Sequence, residues 1–421
     1  MTLFPFLGRS GSGTGQREFV VLMAMIQSQQ ALAIDAMLPA LGVMGHDLGV
    51  ASDNQRQLVV GVFLVCAGLG SLFPGALADR FGRRPVLFGS LILYSLLTLG
   101  CALAQDFTTM IVLRGLAGFS AAGLGVLPGA IIRDRMEGDR MASTQSLVAM
   151  IFMVVPMLAP SLGQGVLLVA GWRWIFAVMA LGGMAVCLWA WLRLGETLDP
   201  AHRQPFRLGA VLGNMHAIVT TRGSVGYVLG YALISGALFG YINSSQQLIA
   251  EHFGAGTLYP MVFAGIALSM SIASFTNSRI VERFGARRVS QTALLVYIAA
   301  AGAQLALAAR GGQTLWEFLP LLAINMLVVG FIGGNFGSIA LQPFARMAGA
   351  AASVQGFLRT VIAALLGILI GQLYDGTAVP LAAGMASAGT ITLLLVLYSE
   401  RGRLFRRVLP PGAPRPDPGS V

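Results

Sequence analysis

The chain has 421 residues, of which 56% are hydrophobic and 10% charged, and its mean hydropathy is +0.76. Soluble domains carry about 25% charged residues, so this composition excludes a soluble globular protein and points to a polytopic membrane protein. All 27 basic residues are arginine and the net charge is +10; the placement of those arginines, described next, speaks for membrane topology and against a nucleic-acid surface.

The segment 1–18 is rich in Gly and Ser and holds Arg9 and Arg17. The apolar run behind it is too long and too interrupted by polar residues to be a cleaved signal, so it is read as a retained first span. Twelve apolar runs recur near 19–41, 57–77, 86–104, 110–131, 142–168, 172–192, 224–247, 258–277, 290–308, 317–340, 349–371 and 379–399. Each approaches the roughly twenty residues that a helix needs to cross a hydrocarbon core of about 30 Å, and such lengths argue against barrel strands. The predicted fold class is an all-α integral membrane protein with twelve transmembrane helices. With an even number of spans and the N-terminus inside, 22 arginines fall on the side of the termini, Arg56, Arg173 and Arg310 fall opposite, and Arg114 and Arg359 lie within spans. The positive-inside rule makes the arginine-rich side cytoplasmic, in a bacterial inner membrane.

Individual spans carry unusual polar residues. Span 1 holds Gln27, Gln30 and Asp35. Asp35 is the one carboxylate well inside a span, about 9 Å deep at 1.5 Å per residue; such a group must face the bundle interior, pair, or bind a proton. Gln27 precedes it by eight residues on the same helical stripe, where it contacts either substrate or a neighbouring helix. In span 2, Gly61, Gly68 and Gly75 form a stripe for close packing. Arg114 in span 4 lies about 10 Å deep from the same side as Asp35. The two charges are expected to meet, either as a proton-coupling pair or as a structural ion pair. Span 7 supplies Tyr231, Tyr241 and Asn243 as cavity candidates, with Tyr227 read as an interfacial anchor, and span 10 adds Asn325 and Asn335. Arg359, ten residues into span 11, snorkels to the surface, pairs between the domains, or adds positive charge to the inner cavity, which would discourage cationic compounds.

The chain also repeats a charged sentence. GALADRFGRRPV (Gly75–Val86) follows span 2, and VERFGARRV (Val281–Val289) follows span 8, 203 positions later. The polar segment 193–223 divides the spans into a six-helix bundle over 19–192 and a second over 224–399, with a tail at 400–421. Paired repeats of this kind are the architecture of secondary transporters. Gly75, Asp79, Arg80, Gly82, Arg83 and Arg84 match the loop 2–3 signature of the major facilitator superfamily, which the chain resembles from first span to last. AIDAMLPALGVMGHDLG (Ala33–Gly49) is similar to the span 1 segment of drug:proton antiporters of the Bcr/CflA type, and LRGLAGFSAAGLGVLPGAIIRDR (Leu113–Arg135) to the span 4 signature of proton-coupled members, whose arginine corresponds to Arg114. The span 5 antiporter signature Gly-Pro-x-x-Gly-Gly is present in part, as Ala159, Pro160, Gly163 and Gln164.

The resemblance implies a proton-coupled exporter of small amphipathic or apolar compounds working by alternating access, with spans 1, 4, 7 and 10 lining the cavity. It also implies a conformational latch at Asp79 and Gly82 that holds the halves together when the cavity faces outward, with Glu282, Gly285 and Arg287 as its weaker copy; Arg80 and Arg84 serve equally well as topology determinants. Protons are the coupling ion and no cofactor is expected. The expected partners are substrate, protons and membrane lipid, with no nucleic acid and a monomeric state. The alternative is an importer or exporter of a specific metabolite. An enzyme is not expected: His46, His202, His216 and His252 lie in loops or near helix ends, Cys66, Cys101 and Cys187 sit in apolar spans, no metal-ligand spacing occurs, and a P-loop is impossible without lysine.

Overall fold

The computed structural model describes residues 15–199 and 208–405, and among them every regular element is helical. Outside the described residues lie most of the 1–18 segment and of the 400–421 tail, together with Arg9, Arg203, Arg207, Arg406, Arg407, Arg415 and His202. The first half contains α1 (Gln16–Asp35), α2 (Leu41–Asp47), α3 (Leu58–Gly70), α4 (Phe73–Phe81), α5 (Arg83–Leu103), α6 (Phe107–Arg135), α7 (Gly138–Ala170) and α8 (Trp172–Arg193). After α9 (Leu208–Thr220), the second half contains α10 (Arg222–Gln246), α11 (Tyr259–Phe284), α12 (Ala286–Ala309), α13 (Leu315–Leu341), α14 (Ala348–Gln372) and α15 (Val379–Ser399).

Among the described residues eleven helices are long and apolar enough to cross a membrane, and the pair α3–α4, bent by 44° at Ser71–Leu72, brings the number to twelve when taken as one span. The bend in span 2 is absent from the sequence reading. Pro74 sits in the first turn of α4, where its missing N–H costs nothing to the new helix but could not continue the old one. Span 1 breaks similarly: α1 stops at Asp35, and Pro39 opens a short 3₁₀ turn, Leu38–Ala40, before α2. The interdomain segment 193–223, read from sequence as a loop, contains α9, which rests on α10 and α14 with Ile218 buried.

Two glycines explain the repeated sentence locally. Gly82 ends α4 at φ +105 and Gly285 ends α11 at φ +85, a region that side chains disfavour. Each lets the chain reverse within one residue so that the next span starts immediately.

The halves meet along one seam. Glycines of α3 press on α14, Gly61 against Ile368 and Gly68 against Val361 and Thr360, leaving no room for a Cβ, whereas at Gly75 the nearest atom to such a Cβ is Val126 of the same half, at 3.9 Å. α7 packs on α11 as the counterpart of this contact. An apolar core joins Met37, Leu41 and Val60 to Tyr241, Phe263 and Ile370 across the halves, while a second core, with Leu22, Phe63 and Leu124, stays within the first half. Among the described residues the contacts named here between the halves lie away from the arginine-rich face where α1 begins and α15 ends, called the basic face below.

Candidate translocation site

Asp35 sits where the halves touch. It is the last residue of α1, 5% exposed, and its carboxylate has no hydrogen-bond or ion-pair partner among the described residues. The residues that follow it, Ala36, Met37 and Leu38, share a buried core with Tyr241 of α10 and Tyr259 of α11. Those rings belong to the second half and pack around Phe263, Tyr241 stacked at 6.0 Å and Tyr259 tilted at 6.0 Å. The Tyr259 hydroxyl bonds Ser245 at 3.0 Å; the Tyr241 hydroxyl and both amide atoms of Asn243 are buried without a partner. Tyr241 and Asn243 thus lie in the closed seam, not on an open cavity wall.

The expected contact between Asp35 and Arg114 is not formed. Arg114 is fully buried; its Nε donates to the Val59 carbonyl at 2.9 Å and its Nη2 to the Ala33 carbonyl at 2.9 Å, and its guanidinium lies 4.2 Å from the Phe63 ring centre. The reason is the break in span 1. Where a helix stops, its last carbonyls lose their amide partners, and a cation placed there satisfies one of them and meets the negative end of the helix dipole. Arg114 caps α1 rather than neutralising its final side chain. A second carbonyl of the break, that of Ala36, faces Gly163 of α7, where a Cβ would collide with it. The partial antiporter signature is therefore in direct contact with the turn that follows Asp35, and Pro160 lies buried one turn earlier in the same unbroken helix.

The seam is sealed on its outer side by polar groups that the sequence reading did not single out. Arg56 donates from Nη2 to both oxygens of Glu251 at 2.6 Å. Asn54 donates to the carbonyls of Gln372 at 3.1 Å and Tyr374 at 2.7 Å, Gln372 returns a bond to the Asn54 carbonyl at 2.7 Å, and Gln57 donates to Gln247. Gln247 and Glu251 belong to a π-helical turn, Gln247–His252, that extends α10; such turns are rare and favour functional places.

On the basic face the repeated sentence is engaged within each half. Arg83 bonds Asp79 at 2.5 Å and Asp134 of α6 at 2.7 Å. Glu196, just beyond α8, accepts the backbone N–H of Arg83 at 2.9 Å and of Arg84 at 3.2 Å, and Arg84 also donates to the Trp191 carbonyl at 2.8 Å. A Cβ on Gly82 would approach a Glu196 oxygen to 2.5 Å, a second reason for glycine there. Partial desolvation opposes ionisation of Glu196, but N–H groups of Leu198, Arg83, Arg84 and Thr197 outweigh it and hold the carboxyl below its ordinary value. In the second half Arg287 bonds Glu400 at 2.7 Å and Gln342 at 2.9 Å. Glu400 also accepts from Tyr227 at 2.8 Å, so Tyr227 is a fully buried partner, not an interfacial anchor. Glu282 and Gly285 stand at the positions equivalent to Asp79 and Gly82. Arg80 is exposed and stacks on its neighbour Phe81 at 5.1 Å.

The remaining candidates divide. Asn335 is consumed by α11, donating to Asn277 at 2.8 Å and to the Phe331 carbonyl at 2.8 Å, and Asn325 is buried with both amide atoms unpartnered. Gln27 and Gln30 are half-buried on α1, with Gln30 against Gly125 of α6. Arg359 and Tyr231 meet at 5.1 Å.

The sequence profile of the Major Facilitator Superfamily matches residues 23–368. The chain belongs to this transporter superfamily. Among facilitator relatives, the bicyclomycin resistance protein homolog of Haemophilus influenzae is 26% identical over 390 residues, 92% of this chain and 98% of the relative. Multidrug resistance protein MdtL of Klebsiella pneumoniae is 31% identical over 369 residues, 86% of this chain and 91% of the relative. A solved bacterial homolog of the human lysosomal transporter Spinster, inward-facing and unoccupied, matches with a TM-score of 0.68 at 16% identity, covering 92% of this chain and 95% of that one, a likeness of fold. The two-half facilitator architecture expected from the repeat is thereby established.

Proposed function

We propose that this facilitator exports small amphipathic or apolar compounds across a bacterial inner membrane in exchange for protons, with the basic face in the cytoplasm. The observation that carries the reading is Asp35, a buried carboxylate without a bonding partner among the described residues, next to the core that joins the two halves. Drug-resistance names among the relatives support the direction and the substrate class.

The chemistry follows from the cost of charge. An ionised carboxylate enclosed away from water and unpaired costs several kcal/mol. A protonated Asp35 carries no charge to desolvate and fits the seam, so proton capture from the outer side favours the closed seam and a cavity open to the cytoplasm. When substrate binds and the proton leaves inward, the charge on Asp35 disfavours the seam, the outer face opens, and substrate is released outside. Arg114 holds the end of α1 in register through its backbone, and Gly163 allows α7 to follow that end closely.

The test uses an efflux-deficient bacterium and vesicles containing the purified chain. Growth is scored against phenicols, bicyclomycin, dyes and lipophilic cations, and pH-gradient-driven transport is compared between the parent and Asp35→Asn. The expected result is protection by the parent, with driven transport lost in the variant at equal membrane abundance. Undiminished driven transport in Asp35→Asn would remove the coupling role, and no protection by a correctly inserted parent would favour a metabolite carrier.

A further inference from the structure

The export cycle leaves one intramembrane charge unused. Arg359 lies eight residues into the crossing Ala351–Gln372, about 12 Å along the helix. Every other charged residue of α10 to α15 lies within six residues of a helix end.

Its surroundings place it inside the second half. The guanidinium carbon is 5.1 Å from the centre of the Tyr231 ring, and the Tyr231 hydroxyl stands against Gly333 of α13, 3.1 Å from where a Cβ would be. α10 packs on α14 through Gly236, Phe239 and Gly240. Tyr231 is nine residues from Gly240, half a revolution around the helix, so the pair occupies the side where α10, α13 and α14 converge and not the helix contact itself. Gln355, one turn before Arg359, packs beside Gly337 of α13.

What the guanidinium lacks is an anion. It has no hydrogen bond or carboxylate partner among the described residues. The mid-span carboxylate of the first half, Asp35, is buried and forms no ion pair with it. The Tyr231 ring accepts none of its N–H donors as a hydrogen-bonding oxygen would, so those donors remain available for a carboxylate or related oxyanion. A lipophilic cation entering the same space would meet a like charge at low dielectric.

We infer that Arg359 is a substrate-binding residue that makes the inner cavity select compounds bearing a carboxylate or phenolate, tolerate neutral amphiphiles, and reject lipophilic cations. This rests on the reading of the chain as an exporter loaded from its basic face. Tyr231 orients the guanidinium, and Gln355 adds a neutral polar group beside it. The charge is a selectivity filter, separate from proton coupling at Asp35.

The experiment measures equilibrium binding to the purified full chain in detergent, using three probes: the carboxylate dye fluorescein, neutral chloramphenicol and the cation tetraphenylphosphonium. The parent is expected to bind fluorescein and chloramphenicol and to bind tetraphenylphosphonium at least about tenfold more weakly. Arg359→Gln should weaken fluorescein about tenfold while changing chloramphenicol less than about threefold, Arg359→Lys, which keeps the charge but loses the fork, should fall between the parent and Arg359→Gln for fluorescein, and Arg359→Glu should admit the cation. An equal loss for all three probes in Arg359→Gln, or tetraphenylphosphonium bound by the parent as tightly as fluorescein, would overturn the inference. Chloramphenicol bound and fluorescein excluded defeats anion selection alone; a folded parent that binds none of the three defeats the export reading along with it.

Discussion

Arg114 donates to the carbonyl of Ala33 at 2.9 Å, two residues short of Asp35. The two charged residues of the first half's interior are thus linked through backbone, not as an ion pair. Replacing Arg114 by Lys keeps the charge but cannot span the carbonyls of Ala33 and Val59 together. Arg114→Lys is expected to lose most transport and to lower stability by about 2–4 kcal/mol, the range for breaking a buried charged hydrogen-bond set. Combining it with Asp35→Asn should give nearly additive losses in thermal unfolding. A double variant restored toward the parent would show a direct pair instead.

Arg56 and Glu251 form the ion pair of the outer seal, with side-chain exposures of 8% and 43%. Because one partner is half-exposed, its removal is expected to shift the conformational balance by about 1–2 kcal/mol toward the outward-open state. An Asn243→Cys reporter, buried in the present conformation, should react faster with a membrane-impermeant maleimide applied from outside when Arg56 is changed to Gln. Exchange of the two charges, Arg56→Glu with Glu251→Arg, should return the rate toward the parent. Unchanged labelling in Arg56→Gln would mean that the amide bonds of Asn54 and Gln57 alone keep the seam shut.

Gly163 leaves no space for a side chain against the Ala36 carbonyl. Gly163→Ala should push α7 from the broken end of α1, at a cost of about 1–3 kcal/mol for overpacking. Substrate binding should survive while pH-gradient-driven transport falls, because the displaced turn is the one that carries Asp35. Equal losses of binding and transport would assign the glycine to general packing.

Glu196 predicts a pH dependence. Its carboxyl is held below the ordinary carboxylate value in the folded chain, so its stabilisation is complete above that ordinary value and disappears as pH falls through the folded one. The parent's thermal midpoint should therefore hold from neutral pH down to the usual carboxylate range and drop below it. Glu196→Gln should lower stability at neutral pH by about 1 kcal/mol or less for so exposed a group, and flatten the acid-side drop of the midpoint. Parallel acid-side curves for the two proteins would exclude Glu196 as the titrating group.

The sequence made the spans, the repeat and the turns at Gly82 and Gly285 legible because each depends on neighbours along the chain: hydropathy over twenty residues, or a single backbone angle. The partners of those turns were not legible. Asp134 and Glu196 lie 51 and 113 residues from Arg83, and nothing local marks them. Arg114 was found by its depth, but its true acceptors are carbonyls, which have no letter in a sequence. Tyr227 and Asn335 have residue types suited to an interface or a cavity, and only packing reveals that Glu400 and Asn277 already occupy them. The Asp35 site was legible as one residue and illegible as a place, since Tyr241 and Tyr259 complete the core beside it from the other half.

Glu196 and Glu400 fasten the basic end of each half to itself. Each six-helix block keeps these two fastenings whether its neighbour is near or far, so swinging the blocks apart at that end leaves both intact. Resistance to the motion lies in the two helix contacts between the halves, α3 on α14 and α7 on α11, with Gly61 and Gly68 as one bearing surface and a few amides and one ion pair as the catch. Timing in such a machine is set at the catch, and changes elsewhere in the blocks can alter the cargo without retuning it.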